Sequence, residues 1–195
     1  MSETVQQPVL VYTEATPNPE TLKFVTNKML LPTVSADFPD EKSAKESPLA
    51  MELFGFPFVK GVFIASNFVT VTKTEDQEWY GLIPSLREFI KDYISTGKEI
   101  VSENWIRVKK IETGSTGGES TEDKIKAMLE KYVRPAVEMD GGAIIFKSFE
   151  EGVVTLQMQG ACSGCPSSTV TLKAGIEGLL KRMVPEVQEV IAEQV

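Results

Sequence analysis

Val153-Val154-Thr155-Leu156-Gln157-Met158-Gln159 runs straight into Gly160-Ala161-Cys162-Ser163-Gly164-Cys165-Pro166-Ser167-Ser168, and the fold of the second half is read outward from this join. The first seven residues alternate in the period-two manner of a half-buried strand. Downstream, Leu172, Ile176, Leu179, Leu180 and Met183 fall at helical spacing. Pro166 suits a first helical position, where no intrahelical N–H is required. Both cysteines of the chain therefore sit on a tight turn between a strand and a helix N-terminus. Unpaired N–H groups and the positive end of the helix dipole favour thiolate over thiol there. Thiolates bind soft metals. The turn is a ligand loop, and it holds only half of a four-thiolate set.

Upstream of the loop, Ser120 or Thr121 caps a helix in which Ile125, Met128, Leu129, Tyr132 and Val133 recur at three- and four-residue steps. Pro135 ends or kinks it. Asp140-Gly141-Gly142 is a turn that needs a glycine at positive φ. Ala143 to Phe149 is a strand, and Glu150-Glu151-Gly152 turns it into the strand above. Beyond the second helix, Pro185 is a stop and Val187 to Ala192 reads as a further short strand. The order is helix, strand, strand, helix, strand: a small α/β (α+β) domain with a two- or three-stranded sheet.

The first half is organised differently. Val9 to Tyr12 reads as a short strand, Thr16-Pro17-Asn18-Pro19 as a turn, and Leu22 to Val25 as a strand. A loop containing Pro and Asp follows, then the charged stretch Asp40 to Glu46, a solvated face or turn. Ser47 as N-cap, Pro48 at the first position and Gly55 past the end frame a short helix. Val62 to Ala65 and Phe68 to Thr72 form a hairpin about Ser66-Asn67. A helix spans Pro84 to Ser95, with Gly97 ending it. The phenylalanines of Phe54-Gly55-Phe56-Pro57-Phe58 are assigned to core and turn packing rather than to a ligand groove. Lys98 to Ser120 is a connector in which Trp105 to Val108 pairs briefly as a strand. Its Gly114-Ser115-Thr116-Gly117-Gly118 run cannot bury a core and lacks the Gly-Lys-Ser/Thr ending of a phosphate loop. The expected organisation is two small domains, residues 8–98 and 121–195, joined by a linker at 99–120.

Composition removes several function classes. The chain has 195 residues, a net charge of −8, two cysteines and no histidine. Divided after Lys98, each half carries −4, with no basic stripe, so neither nucleic acid nor an anionic membrane is an expected partner. Without histidine, Ser-His and Cys-His nucleophile pairs and histidine-bearing zinc sites are impossible. Ser95-Thr96-Gly97-Lys98 matches a Ser-x-x-Lys string by chance, without companion motifs. The chain is not expected to be an enzyme. Two cysteines do not make a disulfide scaffold, and the N-terminal residues have neither signal-peptide nor transit-peptide character, so a cytoplasmic location is expected.

Three stretches, Glu130-Lys131-Tyr132-Val133-Arg134-Pro135, Met139-Asp140-Gly141-Gly142 and Gly160 to Ser168, together resemble the C-terminal domain of NifU, found in the Nfu iron–sulfur scaffold and carrier proteins. The likeness covers about Thr121 to Val195. Thr16-Pro17-Asn18-Pro19, Leu53-Phe54 and Val59-Lys60-Gly61-Val62 resemble the N-terminal domain of mitochondrial-type Nfu proteins. Ala143 departs from the pattern, which has an acidic residue after the double glycine. The resemblance implies that Cys162 and Cys165 are cluster ligands, that the cluster-bound form is a homodimer, and that partners are apo iron–sulfur clients and upstream cluster donors. Counting donors leads to the same dimer. A [4Fe–4S] cluster with all-cysteine ligation needs four thiolates, one chain offers two, and a two-fold axis supplies the rest. A [2Fe–2S] cluster is the alternative cargo, which the sequence does not separate from the first. Ser163, Ser167 and Ser168 are assigned to helix capping rather than to hydrogen bonds with sulfur.

Two rivals use the same residues. A thiol–disulfide oxidoreductase would attack with Cys162 and resolve with Cys165, although a thioredoxin-like motif follows the first central strand of a larger sheet. A Cys₄ zinc site shared by two chains is the second, separable by colour and by iron and sulfide content. An inert, buried cysteine pair is not expected on a glycine-rich turn ahead of a helix.

Overall fold

The computed structural model describes residues 8–113, 120–163 and 166–194. Two sheets organise them. Strands β1 (Val11–Ala15), β2 (Thr21–Thr26), β3 (Leu31–Phe38), β4 (Val59–Ser66) and β5 (Phe68–Lys73) form an antiparallel five-stranded sheet in the order β1-β2-β5-β4-β3. Strands β6 (Gly142–Glu150), β7 (Val153–Gly160) and β8 (Glu189–Gln194) form a second sheet in the order β6-β7-β8, with β8 parallel to β7. The fold is a mixed α+β one, and the helix-strand-strand-helix-strand order is present in the second half.

Side-chain parity explains the first sheet. Leu22 and Phe24 of β2, Val62 and Ile64 of β4, and Val69 and Val71 of β5 point to one face and share a core. The same core takes Leu49 and Leu53 of α1 (Pro48–Phe54), Leu86, Ile90 and Tyr93 of α2 (Trp79–Ser95), and Trp105 and Ile106 of α3 (Glu103–Thr113). The opposite parity, Lys23 and Val25, Phe63 and Ala65, Phe68 and Thr70, is also buried. A sheet buried on both faces has a second layer over it. Here that layer is the other half of the chain.

Several expectations are met by local chemistry. Ser47 caps α1 by accepting from the Ala50 N–H at 3.1 Å, and its hydroxyl donates to the Ile100 carbonyl at 2.7 Å. Gly97 takes φ +69° beyond α2. Glu151 and Gly152 both have positive φ, as the tight hairpin turn between β6 and β7 requires. Phe56 stacks edge-on against Phe89 with centroids 5.4 Å apart, so the phenylalanine cluster packs the core.

Others are corrected. Residues 31–38, expected as loop, form strand β3. It lies at the sheet edge, where Pro32 can be tolerated, and its register shifts between Leu31 and Ser35. The charged stretch is a 3₁₀ helix, Glu41–Glu46, capped by Asp40 and burying Ala44. Helix α2 begins at Trp79, ahead of Pro84, because Trp79 packs on the core and its indole N–H donates to the Pro19 carbonyl at 3.0 Å. The strand expected at Trp105 to Val108 is helix α3, held by Trp105 against Phe38 with centroids 6.3 Å apart. Tertiary packing here overrides the β preference of Trp, Ile and Val. The glycine run at 114–118 lies outside the described residues.

In the second half, α4 (Thr121–Met128) passes through a π turn, Leu129–Val133, into α5 (Arg134–Met139). The π turn falls just before Pro135, where the missing N–H breaks the regular ladder, so the proline neither ends the helix nor acts alone. Ile125, Leu129, Val133 and Val137 bury one face of this helical run against Val154, Leu156 and Met158 of β7 and against Ile176 and Leu180 of α6 (Pro166–Met183). Among the described residues, no helix is long and apolar enough to cross a membrane.

Candidate functional site

Strand β7 ends at Gly160 and helix α6 begins at Pro166, so the ligand loop occupies the strand-to-helix join that the residue pattern requires. Cys162 sits on this loop and is 4% exposed. That burial corrects the expectation of an open glycine-rich turn. Its cause is Gly142, the first residue of β6, which pairs with Gly160. A Cβ built on Gly142 would lie 2.6 Å from the Cys162 Sγ, 2.6 Å from the Gln159 carbonyl oxygen and 2.9 Å from the Cys162 nitrogen. The second glycine of the pair is thus a seat for the thiol. The first, Gly141, supplies the turn at φ +80°.

Buried does not mean enclosed. A cavity of about 580 Å³ opens beside Cys162, walled by Tyr132, Ala136 and Asp140 on one side and by Leu172, Ile176 and Leu179 of α6 on the other. Pro17 of the first domain completes its rim. The volume lies in the range of small-ligand sites. The wall is mostly apolar, with Asp140 and Thr171 as its polar members. Cys165, Gly164 and the side chains of Ser167 and Ser168 lie outside the described residues. Among the described residues there is no group of three or more His, Cys, Asp or Glu able to hold a metal.

Residue reading missed the other side of the loop. The outer face of the first sheet lies against it: Val25, Phe63, Ala65 and Phe68 pack with Ala143 in one cluster. Thr70 Oγ1 donates to the Gly141 carbonyl at 2.8 Å, and that carbonyl also accepts from the Ala161 N–H at 3.2 Å. The Gly160 N–H donates to Asp37 Oδ1 at 3.3 Å. Asn18 Nδ2 donates to the Ser163 carbonyl at 3.4 Å, and Lys23 Nζ to the Met139 carbonyl at 3.3 Å. Lys23 also pairs with Glu14 at 2.9 Å, which compensates its burial. Desolvation pushes the Asp37 carboxyl up to about 6, against a smaller downward pull from the Gly160 N–H. A signal for this contact exists in the sequence: Val62-Phe63-Ile64-Ala65 is apolar on both strand faces. Ser95 and Lys98 are engaged separately, Ser95 with the Lys91 carbonyl and Lys98 with Glu52.

Comparison with known proteins places both halves. A family model described as scaffold protein Nfu/NifU N terminal matches residues 11–97, and one described as a NifU-like domain matches residues 125–191. The chain is 42% identical over 183 residues to the human protein named NFU1 iron-sulfur cluster scaffold homolog, mitochondrial, covering 93% of this chain and 71% of that one. It is 43% identical over 187 residues to NifU-like protein 4, mitochondrial, of Arabidopsis thaliana, covering 95% of this chain and 66% of the relative. NifU-like protein 5, mitochondrial, of the same plant is 42% identical over 187 residues, covering 95% and 68%.

Proposed function

Because the chain belongs to the Nfu family, with the family's N-terminal domain followed by a NifU-like domain, we propose that it is an iron–sulfur cluster scaffold and carrier, not an enzyme. Its cargo is a [4Fe–4S] cluster held between two subunits by Cys162 and Cys165 of each, and passed to apo-proteins. The observation that carries this reading is the placement of Cys162. It lies on the loop between β7 and α6 and lines a mostly apolar cavity, in a chain whose whole thiol supply is two cysteines.

The chemistry follows from that supply. Four thiolates are needed to satisfy a cubane, so a second chain brings the other pair, most simply about a two-fold axis. The cluster with its four thiolates carries a net −2, a charge that helix N-termini and loop N–H groups stabilise. A cage split across two chains opens when the chains part, which suits hand-over by ligand exchange. The cysteine loop follows the second strand of a hairpin in a three-stranded sheet, which favours a ligand pair over a thioredoxin-like motif set after the first central strand of a larger sheet. A reducing compartment, the cytoplasm on the reading of cysteine usage above, keeps the pair available. Upstream donors and apo-protein clients are the partners this role requires.

Anaerobic reconstitution with iron and sulfide tests the assignment. Cys162→Ser and Cys165→Ser should each lose the visible absorption and the bound iron while keeping the wild-type circular dichroism. A double variant that still retains four irons and four sulfides per dimer refutes ligation by this pair.

A further inference from the structure

We propose that the N-terminal domain is a clamp on the ligand loop of its own chain, with Thr70, Asn18 and Asp37 as positioning residues for Cys162. The bonds fall on both sides of the cysteine. Before it, Asp37 takes the Gly160 N–H, and Thr70 holds the Gly141 carbonyl that in turn takes the Ala161 N–H. After it, Asn18 holds the Ser163 carbonyl. The Thr70 bond is buried, with Thr70 1% exposed, and the longer Asn18 and Asp37 bonds are partly buried; all three are made between the two domains. Two glycines make room for the clamp. A Cβ on Gly141 would meet Thr70 Oγ1 at 3.0 Å and the Thr16 methyl at 3.2 Å. One on Gly160 would meet the Phe63 ring at 2.7 Å. The loop backbone is therefore shaped to the first domain as closely as to its own.

This deepens the carrier reading and rests on it for its consequence. A cluster leaves a carrier by exchange of thiolates, and exchange requires a ligand loop that can yield. With the clamp closed, the loop backbone is fixed and the Cys162 sulfur stays seated over Gly142. With it released, the loop is freer to move, and the sulfur can be reached by an incoming acceptor. Docking of the first domain thus sets how firmly the cargo is retained.

The test uses the full chain. Thr70→Val keeps the shape and removes the donor. Asn18→Asp keeps the oxygen that caps the Glu20 N–H but removes the donor to Ser163. In apo protein carrying Cys165→Ser, iodoacetamide reports on Cys162 alone. A buried hydrogen bond of ordinary strength implies alkylation about fivefold to tenfold faster in Thr70→Val, and a smaller acceleration in Asn18→Asp, whose bond is longer and only partly buried. Amide exchange at Gly160 and Ala161 should accelerate in parallel, and Thr70→Ser should restore the wild-type rates. With both cysteines present, the reconstituted Thr70→Val protein should lose iron to a chelator faster than wild type. Wild-type alkylation and exchange rates in both Thr70→Val and Asn18→Asp would overturn the clamp. The apo readouts need no cluster, so a wild-type chain that never takes up iron would refute the carrier reading while leaving the clamp to stand or fall on alkylation.

Discussion

Gly142→Ala is the sharpest perturbation that the site offers. The added methyl would lie 2.6 Å from the Cys162 sulfur, 2.6 Å from the Gln159 carbonyl oxygen and 2.9 Å from the Cys162 nitrogen. Two of these three are backbone atoms on the strand and loop, so a rotamer change in the cysteine relieves only one contact. Gly142 does not have a positive φ, so the cost is steric rather than conformational. Overpacking of this kind costs about 1–3 kcal/mol. For a chain of this size that is a melting shift of about 3–10 °C. The sulfur must also leave its seat. Thermal unfolding by circular dichroism should show the shift, and iodoacetamide should alkylate Cys162 faster in the Cys165→Ser background. Gly178→Ala is the control: its Cβ meets nothing within 4 Å, and replacing glycine within α6 should stabilise by up to about 1 kcal/mol. If Gly142→Ala melts within a degree of wild type with unchanged alkylation, the thiol does not sit over this glycine and the site geometry is wrong.

Further perturbations test other parts of the account. The Asp37 carboxyl is raised from its ordinary value of 3.8 to about 6, so the folded chain binds a proton that the unfolded chain has lost between those values. Stability should therefore fall as pH rises through that window, by at most about 3 kcal/mol. Asp37→Asn should melt higher than wild type at pH 7.5 and lose that advantage near pH 4; a variant less stable than wild type at pH 7.5 contradicts the sign. Ser47→Ala removes both the α1 cap and the donor to the Ile100 carbonyl, and denaturant unfolding should show a loss of about 2 kcal/mol. A loss under 0.5 kcal/mol, on the scale of an ordinary surface change, would mean that solvent replaces both bonds.

What the sequence disclosed was mostly local. The strand, cysteine turn and helix beginning at Pro166 are each fixed by a short pattern, as are the Ser47 cap and the Glu151-Gly152 turn. Strand β3 was hidden because its pattern is broken by Pro32 and because pairing with β4 holds it at an edge. Helix α3 was hidden because Trp105, Ile106 and Val108 favour strands in isolation, while contact with Phe38 decides the outcome. Two features of the site were out of reach of periodicity. Reading Gly142 as part of a turn gave its neighbour's role correctly, but its own depends on where a sulfur twenty residues later is placed. The buried outer face of the first sheet shows in the sequence only through the doubly apolar run Val62 to Ala65, while Lys23 and Thr70 read as solvent-facing positions until a second domain lies on them.

The most direct measurement is native mass spectrometry of the anaerobically reconstituted chain, with iron and sulfide counted on the same sample. The account predicts a dimer carrying one cluster, reverting to monomer as the cluster is removed. A cluster-loaded single subunit in the absence of added thiols would contradict it, since two cysteines cannot complete four ligands.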